Sequence, residues 1–313
     1  MDVVSDAIAA VRIGRPSSNR MRVSGSWCAR FDAYDGAGFH VVLEGGCWLL
    51  PDGGGDPVSL GTGDAVLLPH GTGHVIADSP VDAAAVRRAV PFEDWQAGEG
   101  PRQPPGAPGA VEMLCGKYRL DRSRTHPLMA ELPKVVHLPN RVGSHPELRA
   151  AIDLLGRELG GQRPGAWIAV PSLLDLLLVY MVRSWMDEGA SGSWSAALGD
   201  PVAAAALRAL HADPAAAWTN DRLAAEAGVS RPTLARRFTA LVGRPPMAYL
   251  TWWRLTFAAT LLRDTQDPLA AIAHRVGYAT PYAFSHAFNR EFGTTPGRYR
   301  SGHQGGAGAV RVS

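Results

Sequence analysis

The 313-residue sequence has little cysteine, no lysine between positions 200 and 301, and no apolar run approaching the roughly twenty residues that a membrane helix needs. Its three cysteines, Cys28, Cys47 and Cys115, are odd in number and contain no C-x2-C pair. That excludes a disulfide framework and a four-cysteine zinc site, and it points to free thiols in a reducing compartment. Cysteine most often fills a small apolar site, but Cys28 lies two residues from Arg30, where a cation would favour a redox-active thiolate. The longest apolar run, Leu176 to Val182, is bounded by Asp175 and Arg183, so no membrane partner is expected. The start, MDVVSDAIAAVRIG, has no positive-then-apolar leader, and the expected location is the cytoplasm.

Positive charge is segregated. Residues 200–301 carry twelve arginines and seven acidic residues, a balance of +5, against nineteen basic and twenty-two acidic residues elsewhere, a balance of -3. A basic region beside a mildly acidic one is the footprint of phosphate attraction. Within it, GVSRPTLARRF at 228–238 reads as a tight turn and a helix start: Ser230 suits an N-cap and Pro232 an early helical position. Leu234 and Phe238, four apart, share a buried face, and the arginines lie largely off it. Upstream, Thr219 caps a second helical pattern that ends at Gly228, giving helix, turn and helix.

The phrase recurs. Leu223-Ala224, Gly228, Leu234, Phe238, Gly243, Pro246 and Tyr249 are echoed by Ile272-Ala273, Gly277, Phe284, Phe288, Gly293, Pro296 and Tyr299. Two copies are too few for a solenoid and suggest a paired device. Between them, Leu250, Trp253, Phe257 and Leu261 follow helical spacing. Eighteen helical residues make a rod of about 27 Å, comparable with the roughly 34 Å between successive major grooves on one face of a duplex.

Residues 200–301 closely resemble the DNA-binding domain of AraC/XylS-type transcription regulators, most specifically in RVGYATPYAFSHAFNREFGTTPGRYR at 275–300. The resemblance implies two helix-turn-helix motifs joined by a long helix. The DNA contacts it implies are Arg231, Pro232, Thr233, Ala235 and Arg236 in the first copy and Pro281, Tyr282, Ala283, Ser285 and His286 in the second, with Arg237 and Arg290 beside them. His286 departs from the arginine common there.

The first two hundred residues have a different texture, with short apolar runs such as FHVVLEGG and CWLLP between glycine- and proline-rich turns, which is strand chemistry. The stretch GDAVLLPHGTGH at 63–74 matches the second signature of the cupin family, G-x5-P-x-G-x2-H, through Gly63, Pro69, Gly71 and His74. The resemblance implies a double-stranded β-helix barrel with a mouth able to hold a ligand. Cupin enzymes hold a metal with histidines and a carboxylate from a first signature, and here the corresponding slots near Arg30 to Tyr34 and Gly38 carry no ligand, leaving His74 with only His40 or Glu44 nearby. No metal and no cofactor are expected, and no catalytic residue is assigned. Trp27, His40, Trp48 and His74 are the candidate effector-binding residues.

The expected organisation is therefore multidomain α and β: a cupin-like sensor barrel over 1–140, a helical connector with dimerisation helices over 141–199, an all-α double helix-turn-helix domain over 200–301, and a flexible tail over 302–313. In the connector, Leu173, Leu176, Leu177, Val179 and Tyr180 make a wide apolar face suited to core or to a subunit interface, and SGSWSAALGD at 191–200 reads as a joint. The expected function is a DNA-binding regulator controlled by a small-molecule effector. Its partners would be operator DNA, that effector, a second copy of the chain, and RNA polymerase if it activates. The rival readings are a metal-dependent cupin enzyme carrying a DNA-binding tail and a redox sensor using Cys28.

Overall fold

Alternate residues of the first half are buried together, and this period of two places them in strands. The computed structural model describes residues 2–96, 110–121, 126–161, 163–189 and 192–304. Its strands are β1 (Arg12–Val23), β2 (Cys28–Phe31), β3 (Gly36–Glu44), β4 (Gly46–Pro51), β5 (Val58–Gly61), β6 (Ala65–Leu68), β7 (His74–Ala77), β8 (Val90–Pro91), β9 (Val111–Leu120) and β10 (Val136–Leu138). One sheet has the order β1-β9-β3-β6-β10 and the other β5-β4-β7-β2-β8. All neighbours are antiparallel except β2 and β8. Between the sheets lie Met21 and Val23 of β1, Val66 and Leu68 of β6, Met113 and Cys115 of β9, and Cys47 and Leu49 of β4. The i, i+2 spacing within each strand is what aims them into one core.

The first sheet is covered on its other face too. Phe39, Val41, Ala65, Leu67, Leu114 and Tyr118 are fully buried there, and for that reason β6 reads as an unbroken apolar run. Helices α5 (Pro146–Leu159) and α6 (Ala166–Asp187) belong to this unit, α6 packing on β1 and β10. The Tyr118 hydroxyl donates to the Leu174 carbonyl at 2.6 Å, and Arg12 pairs with Asp175 at 2.5 Å.

Helix α6 corrects one expectation. It has 22 residues and is long and apolar enough to cross a membrane by length and composition, because the helix begins ten residues before the apolar run at Leu176. It also carries the paired Asp175 and a buried stripe of Leu174, Leu177, Leu178, Met181 and Val182. That stripe is rotated from the expected face: Leu176 is exposed, as are Trp167 and Ile168.

The remaining helices are α1 (Val3–Val11), α2 (Ala83–Arg87), α3 (Phe92–Gln96), α4 (Pro127–Glu131), α7 (Ser193–Gly199), α8 (Pro201–Ala212), α9 (Asn220–Glu226), α10 (Arg231–Val242), α11 (Pro246–Asp264), α12 (Leu269–Arg275), α13 (Pro281–Phe292) and α14 (Pro296–Gln304). The chain divides into two compact units, Arg12–Ser123 with Leu132–Ala190, and Met1–Val11 with Arg124–Glu131 and Ser191–Ser313. These units differ from the expected segments 1–140, 141–199 and 200–301. The connector helices join the barrel unit, because their apolar faces cover its sheet. α1, α4 and α7 join the helical unit. The expected joint at 191–200 is instead α7, whose Trp194 is buried, its backbone N-H donating to the Glu131 carboxylate at 2.9 Å. The expected tail begins as helix through Gln304, and 305–313 lie outside the described residues, as does the glycine- and proline-rich stretch at 98–109.

The cupin-like signature has a steric basis at Gly71. Its φ is +56°, a Cβ there would lie 2.1 Å from the Tyr34 carbonyl oxygen, and its own carbonyl accepts from the Tyr34 N-H at 3.1 Å. Gly71→Ala combines left-handed strain with a backbone clash, and it is expected to destabilise the barrel by about 3 kcal/mol, read as a shift in denaturant midpoint at constant slope. An unshifted midpoint would show that this turn tolerates a side chain.

Candidate nucleic-acid interface and barrel pocket

The two helix-turn-helix copies are built by the same local devices. Ser230 caps α10, its hydroxyl accepting from the Thr233 N-H at 3.4 Å, and Thr280 caps α13, accepting from Ala283 at 3.2 Å. Gly228 and Gly277 make the turns with φ of +66° and +84°. Leu234 and Phe238 are fully buried in the first copy and Phe284 and Phe288 in the second, anchoring each helix by one stripe. The opposite faces are exposed. Arg231, Pro232 and Arg236 are exposed on α10, with Thr233 and Ala235 half-buried; on α13 Pro281, Tyr282, Ala283, His286 and Arg290 are exposed and Ser285 is half-buried. Tyr282 is 81% exposed.

Arg237 is different. Its guanidinium lies 2.5 Å from the Asp200 carboxylate, which also caps α8 by accepting from Val202 at 3.0 Å and Ala203 at 2.9 Å. The Ala203 amide and this arginine hold the Asp200 carboxyl below the usual carboxylate range against a smaller opposing effect of burial. Arg237 is thus spent on joining α10 to α8. Arg231 stands 3.8 Å from the exposed Asp221, a loose surface pair that phosphate can displace.

In the barrel, β3 and β9 pair with His40 opposite Cys115, and β7 brings in His74. His74 Nδ1 is 3.0 Å from the Thr72 carbonyl, so it carries a proton and Nε2 accepts. The facing Nε2 of His40, 2.7 Å away, must then donate, and its Nδ1 accepts from the Cys115 thiol at 3.1 Å. Both imidazoles are neutral. Burial, then the neighbouring His74, pushes His40 well below its ordinary pKa. Burial takes His74 to about 4 even though the Thr72 carbonyl and Asp52 act in the other direction. Phe31 stacks on His74 at 4.9 Å and on Phe92 at 4.5 Å. With Tyr34, Asn19 and Lys117 these residues line a pocket whose space for water-sized molecules is about 40 Å³.

Of the expected effector residues, His40 and His74 meet in this pocket and the tryptophans do not. Trp27 is buried in the inter-sheet core, and Trp48 alternates with the core-facing Cys47 and Leu49, so it points away from that core. The sequence does not mark Phe31, Tyr34, Phe92, Cys115 and Lys117 as pocket residues. Only the strand register brings Cys115 to His40, and no local spacing encodes it. Among the described residues, no group of three histidine, cysteine or acidic side chains is placed to hold a metal ion. Glu44 is exposed near Arg22. At Cys28 burial first, then Asp78, raise the thiol pKa against the lowering effect of Arg30, whose guanidinium is 3.1 Å from Asp52. Cys47 is pushed up to about 12 by burial.

A cupin family model matches residues 2–187, and a helix-turn-helix domain model matches 223–302. A putative AraC-like transcription regulator of Streptomyces antibioticus is 34% identical over 306 residues, covering 96% of this chain and 98% of that protein; another from Streptomyces lividans is 35% identical over 307 residues with the same coverage. This chain belongs to the AraC-like transcription regulators. Among solved structures, the DNA-binding domain of AdpA in complex with a target DNA is 31% identical, covers 36% of this chain and 99% of that one, and aligns with a TM-score of 0.33. The regulator is a DNA-binding protein with an N-terminal cupin domain and a C-terminal helix-turn-helix domain.

The buried imidazoles of this AraC-like regulator make its stability depend on pH. Below about pH 6.5 the unfolded chain protonates His40 and His74, and the folded barrel resists until about pH 4 at His74. The folded pKa values lie below the unfolded ones, so stability is full above pH 6.5 and falls as the pH drops, by about 1 kcal/mol per pH unit for each imidazole. Denaturant midpoints between pH 7 and 5 should fall accordingly, and His74→Gln should make the dependence shallower. An unchanged slope in that variant would mean that His74 takes up its proton over the same pH range in the folded and the unfolded chain.

Proposed function

We propose that the chain is an effector-controlled regulator that reads promoter DNA with the exposed N-terminal faces of α10 and α13. The observation that carries this reading is the pairing of two capped helices, each anchored by an apolar stripe and each presenting an exposed face, one before and one after α11 in the chain. The base-reading residues are Arg231, Pro232, Thr233, Ala235 and Arg236 on α10 and Pro281, Tyr282, Ala283, Ser285 and His286 on α13, with Arg290 serving phosphate. The effector is a small, largely apolar molecule taken against the Phe31 and Phe92 rings that line the barrel pocket, and the protein performs no catalysis. The exposed Trp167, Ile168 and Leu176 of α6 supply the apolar surface for a homodimer, which would match symmetric half-sites. Such a protein works in the cytoplasm, where its DNA is, and recruits RNA polymerase if it activates.

Arg236 is the decisive residue. It is exposed one turn into α10, where a guanidinium can offer two donors to guanine O6 and N7. Arg236→Ala should weaken operator binding and lose about 1 to 3 kcal/mol of discrimination at one or two base pairs. Arg237→Ala, which breaks the link to Asp200, should lower affinity for all sequences alike. Affinities across a panel of operator variants check both, and full discrimination retained by Arg236→Ala would remove it from the reading face. For the sensor, Phe31→Ala should abolish any thermal shift that a metabolite produces in the unchanged protein. A shift that survives in Phe31→Ala would place the effector elsewhere.

A further inference from the structure

A buried polar cluster lies behind the first reading helix. His211 of α8, Tyr249 of α11, Asp6 of α1 and His126 beside α4 are each at most 7% exposed. Their hydrogen bonds fix one another's protons. The Leu128 N-H donates to His126 Nδ1 at 3.2 Å, so the His126 proton is on Nε2, directed at the Tyr249 oxygen 3.4 Å away. His211 Nδ1 donates to the Asp6 carboxylate at 2.8 Å, and its Nε2 accepts from the Tyr249 hydroxyl at 2.7 Å. His126 is held neutral, pushed well below its ordinary pKa by burial and then by His211.

The ring contacts carry this cluster to the first reading helix. Trp253 of α11 stacks on His211 at 4.2 Å, and the Tyr249 ring meets Phe238 of α10 edge-on at 5.7 Å. A second tie lies at the other end of α11, where the Arg263 guanidinium donates to the Ala10 carbonyl of α1 at 3.0 Å. That end of α11 also builds the core of the second helix-turn-helix, Leu261 and Leu262 packing with Ile272, Phe284 and Phe288. Helix α1 therefore grips the first motif through His211 and the second through Arg263.

We propose that α1 is a brace of the DNA-binding unit, and that Asp6, His211 and Tyr249 are positioning residues setting the spacing between the two reading helices. Asp6 lies in α1, outside both helix-turn-helix motifs. Its carboxylate satisfies a buried imidazole N-H that would otherwise be unpaired in an apolar cluster, where the unit would relieve the cost by letting α8 and α11 shift. A shift there moves α10 relative to α13, and two helices on one rod must match the helical repeat of the duplex to enter both grooves at once. The brace rests on the reading that both α10 and α13 enter the DNA.

The test uses the full-length protein and a duplex it selects from random sequence, with a second duplex carrying one base pair inserted between the two contacted segments. The readout is the ratio of affinities for the two, which a general loss of stability would not change. The unchanged protein should prefer the selected spacing by tenfold or more. Asp6→Ala should reduce that ratio at least fivefold, and Asp6→Asn, whose amide oxygen still accepts from His211, should restore it to within twofold. Tyr249→Phe keeps the ring and removes the hydroxyl; it should behave like Asp6→Ala and gives the answer should Asp6→Ala not fold. If the unchanged protein discriminates and these folded variants discriminate equally, the brace is wrong and the two-groove reading stands. Indifference of the unchanged protein to spacing would overturn the two-groove reading and the brace with it.

Discussion

A buried imidazole must find a partner for each of its nitrogens, and that requirement recurs in both units of this protein. In the barrel it joins three strands, because His40 can be satisfied only between Cys115 of β9 and His74 of β7. Among the helices it joins α1, α8, α11 and the segment at His126, because His211 is satisfied only between Asp6 and Tyr249. Each chain of donors ends on an acceptor, the Thr72 carbonyl in one and the Asp6 carboxylate in the other. An unpaired member costs about 1 to 3 kcal/mol, a large share of a domain's net stability. The polar clusters therefore restrict the packing more tightly than the surrounding apolar contacts, which tolerate small rearrangements.

The surfaces are organised by the opposite rule. α10 and α13 each bury one stripe and leave the face opposite it exposed. Arg237 shows how fine the division is. One residue beyond Arg236, it is turned by 100° toward Asp200 and serves the fold, leaving its neighbour to the solvent. An arginine count alone would treat the two as equal contributions to a basic patch.

What the sequence made legible was local. Ser230, Pro232, Leu234 and Phe238 announce a capped helix with a buried stripe within nine residues, and the repetition of that phrase revealed a paired reader. Gly63, Pro69, Gly71 and His74 likewise marked a barrel turn whose geometry requires glycine. What escaped was everything decided by contact between distant segments. Trp48 looked like a pocket residue until strand alternation turned it away from the core. Cys28 looked activated by Arg30, yet Asp52 on another strand holds that guanidinium and burial raises the thiol. Asp6 and His211 are 205 positions apart, and nothing in either neighbourhood signals the other.

The threading of the chain through its helical unit bears on how such regulators diversify. Among the described residues, α1, the segment from His126 to Glu131, and the helices from α7 onward form one compact body, so the chain enters it three times. A single recombination crossover at the apparent boundary near residue 199 would carry away His211 and Tyr249 while leaving Asp6, His126 and Trp194 with the other parent. The two-domain look of the sequence conceals an inheritance unit that is the whole chain, and exchange of DNA specificity between relatives is easier by substitution on the faces of α10 and α13 than by shuffling modules.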